Sequence, residues 1–326
     1  TTVRDYPGTG EEEVLVAIPE GATLTDIGEV LVDHDVVQSS KAFANAARDN
    51  PQSSSIQPGT YRLLTKMTAA DAVAALLNLD NLVRNQVTVP EGWRSTQVVQ
   101  RLSETTGIPS ADFEAELANP VNLGLPAWAE GRTEGFLFPD TYIFYRGLDA
   151  GAILERMAGR FREKVTPEMI AKAESQGLTL LQWVTLASIV EGEVNAGTDR
   201  GKVARVIENR LDNPTGPTVG FLQMDSTRNF AIQKRGNLSA ADVAKSKESP
   251  YDTYAHKGLP PGPINSPSEA SIVAAANPTP GNWYYFVTVN FDTGETLFAE
   301  TLAEQEQNIA KWKQWCKDNP GKCEAG

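Results

Sequence analysis

Two glutamates, Glu191 and Glu193, stand at the end of the most continuously apolar helix candidate in the chain, residues 179–194. Glu191 falls on the apolar stripe of that helix, where a core residue is expected. A carboxylate in a buried place loses hydration, which raises its pKa unless a cation or several donors compensate. Such a group can release a proton near neutral pH and act as a general acid. The alternative is that the helix frays at Gly192 and leaves both glutamates in water.

The helix that must position these glutamates carries its own start signal. Thr179 and Gln182 have the spacing of a capping box, so the helix is predicted to begin there. Its apolar residues recur at helical spacing, the clearest stripe being Leu180, Val184 and Ala187. A helix that is apolar nearly all round is usually buried. Glu193 is offset from Glu191 and should point away from it, toward a supporting or solvent role.

The composition narrows the class of partner. The chain has 326 residues, 40% hydrophobic content and a formal net charge of -13, which favour more than one domain and real cores. The acidic surplus argues against nucleic acid or an anionic lipid surface as the main partner, because both attract Lys and Arg clusters. The longest apolar run, about a dozen residues, suits a buried helix rather than a membrane span. No signal peptide begins at Thr1, so we expect a soluble part of something longer.

The histidines and cysteines indicate little chemistry of their own. His34 and His256 are far apart in the sequence, so no His-based metal cluster is predicted. Cys316 and Cys323 could close a short terminal loop as a disulfide in an oxidising compartment. A reduced pair fits the same spacing, and the sequence leaves both states open.

The order of elements predicts an α+β protein. Residues 1–12 are expected to be a mobile lead-in to a compact α/β module over 13–82, followed by a second small α/β module over 83–148. Residues 149–326 are predicted to be a mainly helical domain that ends in a β-hairpin and a helix. Within it, the Gly- and Pro-rich stretch 214–230 is expected to be a loop with groups that could bind a ligand.

A repeat supports the second module. The segment VAIPEG at 16–21 recurs as VTVPEG at 87–92, and each copy is followed by a capped amphipathic helix. The module ends in EGFLFPDTYIFY at 134–145, whose aromatic residues predict a strand beside a turn. Glu134 and Asp140 in that segment fit turn chemistry as well as a functional role.

Several motifs then stand in one order along residues 85–312. They are EGFLFPDTY, LASIVEGEV, VARVIENRL, LQMDST, YDTY with GLPPGPI, and SIVAAANP followed by YYFV. Together they resemble the YceG-like family of endolytic murein transglycosylases, bacterial cell-envelope enzymes that cut the glycan strands of peptidoglycan. The resemblance implies that residues 149–326 form the catalytic domain. It also implies that residues 13–82 are the LysM-like glycan-binding module that often precedes this domain.

The resemblance gives Glu191 a role. In the family the glutamate of the SIVE segment is the catalytic acid/base. Lytic transglycosylases break the β-1,4 bond between N-acetylmuramic acid and N-acetylglucosamine without water and leave a 1,6-anhydro end. A hydrolase needs two carboxyl groups, whereas here one group would protonate the leaving oxygen and then take the proton of the attacking C6 hydroxyl. That internal nucleophile is already held close to C1.

Roles for five further residues follow from the matching motifs. Asp225, Ser226 and Thr227 match the family's Asp-x-Thr segment, and are expected to position the sugar or orient the acid. Tyr254 matches the last Tyr of a YNTY pattern and is a candidate donor near the acid. Asn209 lies in the NRL segment and is expected to hydrogen-bond across to the acid.

Three positions depart from the family pattern. Asp252 stands where the YNTY pattern has Asn, and Thr296 and Gln305 stand where the family usually carries His. These departures bear on any amide-dependent or His-dependent role and leave the acid itself unchanged.

Two other functions stay open at this point. One is a non-catalytic peptidoglycan-binding scaffold of the cell-wall machinery, in which the LysM-like module carries the function. The other is a true glycoside hydrolase, for which Asp225 or Glu134 would supply the second carboxylate. Aromatic residues could stack on sugar faces or simply belong to the core, and the candidates are Trp93, Trp128, Tyr251 and Trp283.

The resemblance also indicates partners and location. It implies peptidoglycan glycan strands as substrate, peptidoglycan synthases as candidate partners, and neither a metal nor an organic cofactor. Family members are tethered to the cytoplasmic membrane by one N-terminal helix with the enzyme on the extracytoplasmic side. We expect the same location here, with the anchor preceding the given sequence.

Overall fold

The computed structural model of the protein describes residues 3–323, and packing contacts divide the chain into two compact units. The first unit contains the residues up to Val87 together with Leu102–Ile108 and Thr141–Ile153. The second contains Thr88–Arg101, Pro109–Asp140 and the residues from Leu154 onward. Helices combine with small two-stranded sheets, so the α+β class is confirmed. The division into three modules and the LysM-like nature of the first stay predictions.

The first unit is built on an antiparallel strand pair. Strand β1 (Glu13–Ile18) pairs with β2 (Gly59–Leu64), with Glu13 opposite Leu64 and Ile18 opposite Gly59. Burial alternates along β1, where Val16 and Ile18 are buried and Leu15 and Ala17 are exposed, because successive residues of a strand face opposite sides. This unit also contains α1 (Leu24–Asp33), α2 (Ser40–Asp49), α3 (Ala69–Leu77), β4 (Thr141–Tyr145) and all of β3 (Arg84–Thr88) except its last residue.

The predicted strand, turn and helix repeat is confirmed. β1 leads through the first Pro-Glu-Gly (PEG) turn, at the end of VAIPEG, into α1. β3 leads through the second PEG turn, at the end of VTVPEG, into α4 (Ser95–Thr106). Helix α1 begins at a capping box formed by Thr23 and Asp26. β3 and β4 pair as a second two-stranded sheet, so the aromatic segment predicted as a strand is one.

The second unit is mainly helical. Helices α4 and α6 (Ala150–Lys164) have residues in both units. The other elements of the second unit are α5 (Ser110–Ala118), α7 (Pro167–Ser175), α8 (Leu180–Glu193), α9 (Arg200–Asp212), α10 (Asp225–Ala231), α11 (Ala240–Ser246), α12 (Glu269–Ala276), β5 (Tyr285–Asn290), β6 (Glu295–Ala299) and α13 (Leu302–Asp318). In the part of the chain that is described, no helix is both long and apolar enough to cross a bilayer.

Helix α8 is the centre of this unit. The predicted capping box is present, because the Thr179 hydroxyl accepts from the Gln182 N–H and the Gln182 side chain accepts from the Thr179 N–H. Residues 183–190 are all buried, and the helix packs against α7, α9, α10 and α12. The indole of Trp183 donates to the carbonyl of Ile272 at 3.0 Å. The helix continues to Glu193 and does not fray at Gly192.

The end of the chain forms the predicted hairpin and helix. β5 and β6 pair antiparallel, with Tyr285 opposite Ala299, and α13 packs against them. Cys316 and Cys323 form a disulfide, which decides the pairing that the sequence left open. Next to it, the ammonium of Lys322 pairs with Asp292 in the hairpin turn.

The predicted loop over residues 214–230 is only partly a loop. Helix α10 begins at Asp225, although the preceding residue, Met224, provides no side-chain cap. A carboxylate from α8, that of Glu193, accepts from the N–H of Ser226 and replaces the missing cap. A distant residue therefore makes this helix start, and the local sequence pattern could not indicate it.

Candidate active site

Glu191 lies in the last turn of α8, and its side chain is only 8% exposed. Oε2 accepts hydrogen bonds from the Ser268 N–H at 3.0 Å, from the Ser268 hydroxyl, and from the Ser271 hydroxyl at 2.6 Å. Nη2 of Arg200 lies 3.6 Å from Oε1. Glu191 is therefore buried, as the argument from the sequence required, but hydroxyl groups and a cation surround its carboxylate rather than an apolar wall.

Two helix starts supply these partners. Ser268 is the N-cap of α12, and its hydroxyl accepts from the Ser271 N–H at 3.1 Å while it donates to Glu191. Arg200 is the first residue of α9, which Asp199 caps, and its Nε donates to the Ser271 hydroxyl at 3.1 Å. The ends of α8, α9 and α12 thus meet at one carboxylate.

Glu191 lines an open cleft of about 380 Å³ within the second unit. The cleft contains charged groups of both signs and few apolar ones; its lining includes Glu91, Gly92, Arg94, Glu191, Ser226, Asn229, Arg235 and Asn265. A buried acid at the wall of a polar cleft is accessible to a polar ligand. The geometry suits proton transfer to or from a bound molecule.

The second PEG turn forms part of this cleft. Gly92 has φ +72°, and a Cβ at that position would lie 3.5 Å from Cγ of Glu191, so the turn passes directly over the acid. The Gly92 N–H donates to the carbonyl of Ser266 at 2.9 Å, and Ser266 donates back to Trp93 at 2.8 Å. These bonds fix the turn to the segment that precedes α12.

Glu91 in this turn was missed by the sequence reasoning. Burial and the nearby charge of Glu191 raise the pKa of Glu91, while Arg200 acts in the opposite direction. The repeat drew attention to the turn only as architecture. Both copies of the turn carry a glutamate, Glu20 and Glu91, so no local pattern distinguished the one that lies in the cleft with Glu191.

Glu193 is held on the other side of the α8 terminus. Its Oε1 accepts from the N–H and the hydroxyl of Ser226, at 2.9 and 2.6 Å. Burial raises the pKa of Glu193, although the bonds from Ser226 and the charge of Arg210 act against this. Glu193 is absent from the cleft lining described above, so its contacts fit the predicted supporting role.

Of the residues predicted from the Asp-x-Thr and Tyr motifs, Ser226 lines the cleft. Asp225 lies in an adjoining pocket of about 340 Å³, which shares Asn229 and Gly236 with the cleft. The Tyr254 hydroxyl donates to Oδ1 of Asp225 at 2.8 Å, and burial, followed by the charge of Asp225, raises the pKa of Tyr254. Tyr254 therefore donates to Asp225, whereas the sequence predicted a donor for the acid.

The structure does not bring Thr227 and Asn209 to the acid. Thr227 is fully buried, and its hydroxyl bonds to the carbonyl of Met224 and to the hydroxyl of Thr253. The Asn209 amide donates to the carbonyls of Gly281 and Trp283, at 3.1 and 2.9 Å. The Asn209 amide, which the sequence analysis expected to bond to Glu191, therefore donates to backbone carbonyls.

The positions that depart from the family pattern have structural contacts. Burial acts to raise the pKa of Asp252, but hydrogen bonds from Ser246, Tyr254 and Arg228 hold that pKa below its ordinary value. The hydroxyl of Thr296 forms hydrogen bonds with the hydroxyls of Thr198 and Thr288. The Gln305 amide donates to the carbonyl of Phe286 at 3.0 Å.

Glu134, a candidate second carboxylate, is partly buried and is absent from the cleft lining. Both of its oxygens lie 3.1 Å from the Ser95 N–H at the start of α4. Burial raises the pKa of Glu134 to about 7. The aromatic candidates pack against other rings or cations: Trp128 on Phe136, Tyr251 on Phe230, Trp283 on Phe298 and Trp93 under Arg101. None of these four aromatics is in the cleft lining.

Fold and site together define an α+β protein with an acid-bearing polar cleft. The chain belongs to the YceG-like family, whose family model matches residues 16–311. A relative from Streptococcus pneumoniae serotype 2 (strain D39) named endolytic murein transglycosylase is 29% identical over 91% of this chain and 58% of its own length. A relative of the same name from Bacillus subtilis (strain 168) is 29% identical over 92% of this chain and 84% of its own. The chain thus spans little more than half of the pneumococcal relative.

A solved structure gives the same picture of the fold. A YceG-like protein from Listeria monocytogenes is similar with a TM-score of 0.58 and 26% sequence identity. The match covers 91% of this chain and 99% of the Listeria chain.

Proposed function

We propose that the chain is a lytic transglycosylase that cuts the β-1,4 bond between N-acetylmuramic acid and N-acetylglucosamine in peptidoglycan. The observation that carries the proposal is the position of Glu191, which is buried at the end of α8 and yet lines an open polar cleft. The name of the relatives, endolytic murein transglycosylase, supports this substrate class.

In the proposed reaction one carboxyl group acts twice. Glu191 gives its proton to the glycosidic oxygen, and the bond from that oxygen to C1 of N-acetylmuramic acid breaks. The C6 hydroxyl of the same sugar attacks C1 and gives its proton to the Glu191 carboxylate. A 1,6-anhydro end forms, no water is consumed, and the acid is regenerated.

The two oxygens of Glu191 have different parts in this scheme. Oε2 is occupied by donors from Ser268 and Ser271, which fix the plane of the carboxyl group. Oε1 accepts no hydrogen bond from the described residues, so in the proposed reaction it is the oxygen that exchanges the proton with the sugar. Arg200, 3.6 Å away, stabilises the negative charge that remains when the proton leaves.

A two-carboxylate glycoside hydrolase is the second candidate, because Glu91 lines the same cleft as Glu191. The products separate the two reactions. Purified glycan strands are digested with the chain, and the ends are identified by mass spectrometry. Anhydro ends support the proposal, reducing ends support the hydrolase, and uncut strands support a scaffold that only binds.

Variants test the role of Glu191 directly. Glu191→Gln should remain folded, bind glycan and lose at least about a hundredfold in cleavage rate, the scale of general acid catalysis. Glu193→Gln makes the same chemical change two residues further along α8, outside the cleft lining, and should keep measurable cleavage. Anhydro products from Glu191→Gln at the wild-type rate would refute the assignment.

We also propose the extracytoplasmic location and membrane tether that the family resemblance implies, with peptidoglycan synthases as partners. The Cys316–Cys323 disulfide supports an oxidising compartment. In cells, both thiols should react with a maleimide only after reduction. Labelling without a reductant would contradict this location.

A further inference from the structure

Two cleft-lining arginines, Arg94 and Arg235, have no carboxylate partner at ion-pair distance among the residues described. Burial, and after it the charge of Arg235, lowers the pKa of Arg94, so the two guanidinium groups lie close enough to repel each other. Glu134 attracts Arg94 from beyond ion-pair distance. The cleft lining therefore holds two positive charges that no described carboxylate pairs at ion-pair distance, although Glu91 and Glu191 line the same cleft.

Neutral groups hold both side chains in place. Nη2 of Arg94, a residue only 9% exposed, donates to the carbonyl of Lys234 at 2.8 Å. Nη2 of Arg235 donates to Oε1 of Gln97 at 2.6 Å and approaches the Gly92 carbonyl at 3.4 Å. Gln97 Oε1 also accepts from the Arg94 N–H at 3.1 Å. Neutral acceptors thus orient the two cations and leave their charge available.

A guanidinium group with unused N–H donors matches the geometry of a carboxylate. Nε and Nη1 of Arg235 make no hydrogen bond within the described chain, and the residue is exposed. A nearly buried charge such as that of Arg94 is costly without a counter-charge. Both features indicate an anionic group on whatever occupies the cleft.

We propose that Arg94 and Arg235 form a carboxylate-binding corner of the cleft, which takes a carboxylate carried by the N-acetylmuramic acid residues of a glycan strand. The inference rests on the proposed function. The carboxylate can belong to the lactyl group, where the stem peptide has been removed, or to the stem peptide itself. Either source would let a chain of net charge -13 bind an acidic polymer through a local positive site.

The test measures binding of soluble glycan strands to the Glu191→Gln chain, so that cleavage does not interfere. Three forms of the strands are compared. The first keeps its stem peptides, and the second has been treated with an amidase that removes the stems and frees the lactyl carboxylates. The third is the second form after its lactyl carboxylates have been coupled to methylamine, the methylamide form. Adding Arg235→Gln should weaken binding of a carboxylate-bearing form about tenfold, the scale of one hydrogen bond to a charged group. Binding of the methylamide form should not change. The form that loses affinity identifies the carboxylate.

Two further variants sharpen the test. Gln97→Glu introduces a carboxylate at the 2.6 Å contact with Arg235. It should lower the affinity for the carboxylate-bearing strands although both arginines are still present, because the new carboxylate competes for Arg235. Lys313→Gln removes one positive charge from an exposed position of α13, and should change no affinity.

Three results would overturn the proposal: equal weakening of all three strand forms by Arg235→Gln, an equal effect of Lys313→Gln, or no binding of carboxylate-bearing strands. Each is independent of cleavage. A wild-type chain that leaves anhydro ends keeps the proposed function even if the corner is refuted, and a chain that cuts nothing can still show carboxylate binding.

Discussion

The N–H and the hydroxyl of Ser226 both donate to Oε1 of Glu193, at 2.9 and 2.6 Å. Ser226 belongs to the first turn of α10, whose N–H groups have no side-chain cap from Met224. The carboxylate at the end of α8 therefore caps α10 from a distance and joins the two helix ends beside the cleft. This contact places a structural carboxylate two residues from the proposed catalytic one.

Ser226→Ala should weaken this junction. The hydroxyl bond to the Glu193 carboxylate is lost, while the N–H bond remains. Bonds from Ser226 lower the pKa of Glu193, so the variant should raise that pKa further. We expect a loss of about 1.5 kcal/mol in the free energy of unfolding near pH 7, measured with urea. Ser175→Ala, an exposed hydroxyl whose partner is the backbone carbonyl of Lys172, is the control, and equal losses would contradict the prediction.

Ser268 and Ser271 form a matched pair, because each hydroxyl donates to Glu191 but only that of Ser268 caps α12. Alanine at either position should slow the formation of anhydro ends, since Glu191 loses a bond that orients it. Ser268→Ala should also lower the free energy of unfolding by about 1 kcal/mol more than Ser271→Ala, through loss of the cap. Unchanged cleavage by both variants would disprove the orienting role.

Glu134 should make stability depend on pH. Burial raises its pKa from 4.5 to about 7 in the folded chain, so its contribution to stability is complete below pH 4.5 and is lost as the pH rises through 7. The loss reaches at most about 3.5 kcal/mol, since one pKa unit corresponds to about 1.4 kcal/mol.

Glu134→Gln cannot titrate and should lack this part of the pH dependence. Relative to wild type, its free energy of unfolding should rise by about 2 kcal/mol between pH 5 and pH 8, as measured by urea unfolding across that range. Glu306→Gln removes one exposed charge from α13 and controls for net charge. Parallel curves for wild type and Glu134→Gln would rule out the raised pKa.

Gly294 in the hairpin turn should tolerate no side chain. Its φ is +72°, and a Cβ would lie 1.4 Å from the carbonyl oxygen of Ala196, in the loop that joins α8 to α9. Gly177 has a similar φ of +75° with nothing within 4 Å, so Gly177→Ala measures the cost of the backbone conformation alone.

Gly294→Ala should cost at least about 2 kcal/mol more than Gly177→Ala in the free energy of unfolding, because the two backbones must separate. It should also slow cleavage, since that loop leads from Glu191 to Arg200. Similar costs for the two variants would show that the close approach does not matter.

The features that the sequence predicted correctly are signalled locally. The capping box of α8, the repeated PEG turn and the terminal hairpin each depend on residues a few positions apart. Local periodicity also indicated that Glu191 enters the core. Short-range hydrogen bonds and helical spacing suffice for such predictions.

The environment of Glu191 could not be predicted in the same way. Its donors Ser268 and Ser271 lie 77 and 80 residues away in the sequence, and their convergence depends on how α8 and α12 pack. Motif membership also failed to indicate side-chain direction. Asn209 and Tyr254 belong to motifs near the acid, but their donors bind backbone carbonyls and Asp225.

The shared hydroxyl of Ser268 has a dynamic consequence. It accepts from the Ser271 N–H and donates to Glu191, so any fluctuation that unwinds the first turn of α12 also releases the carboxylate. Fraying of this turn is therefore coupled to loss of the ordered site. The backbone amide of Ser271 is thus a reporter for hydrogen exchange at the site.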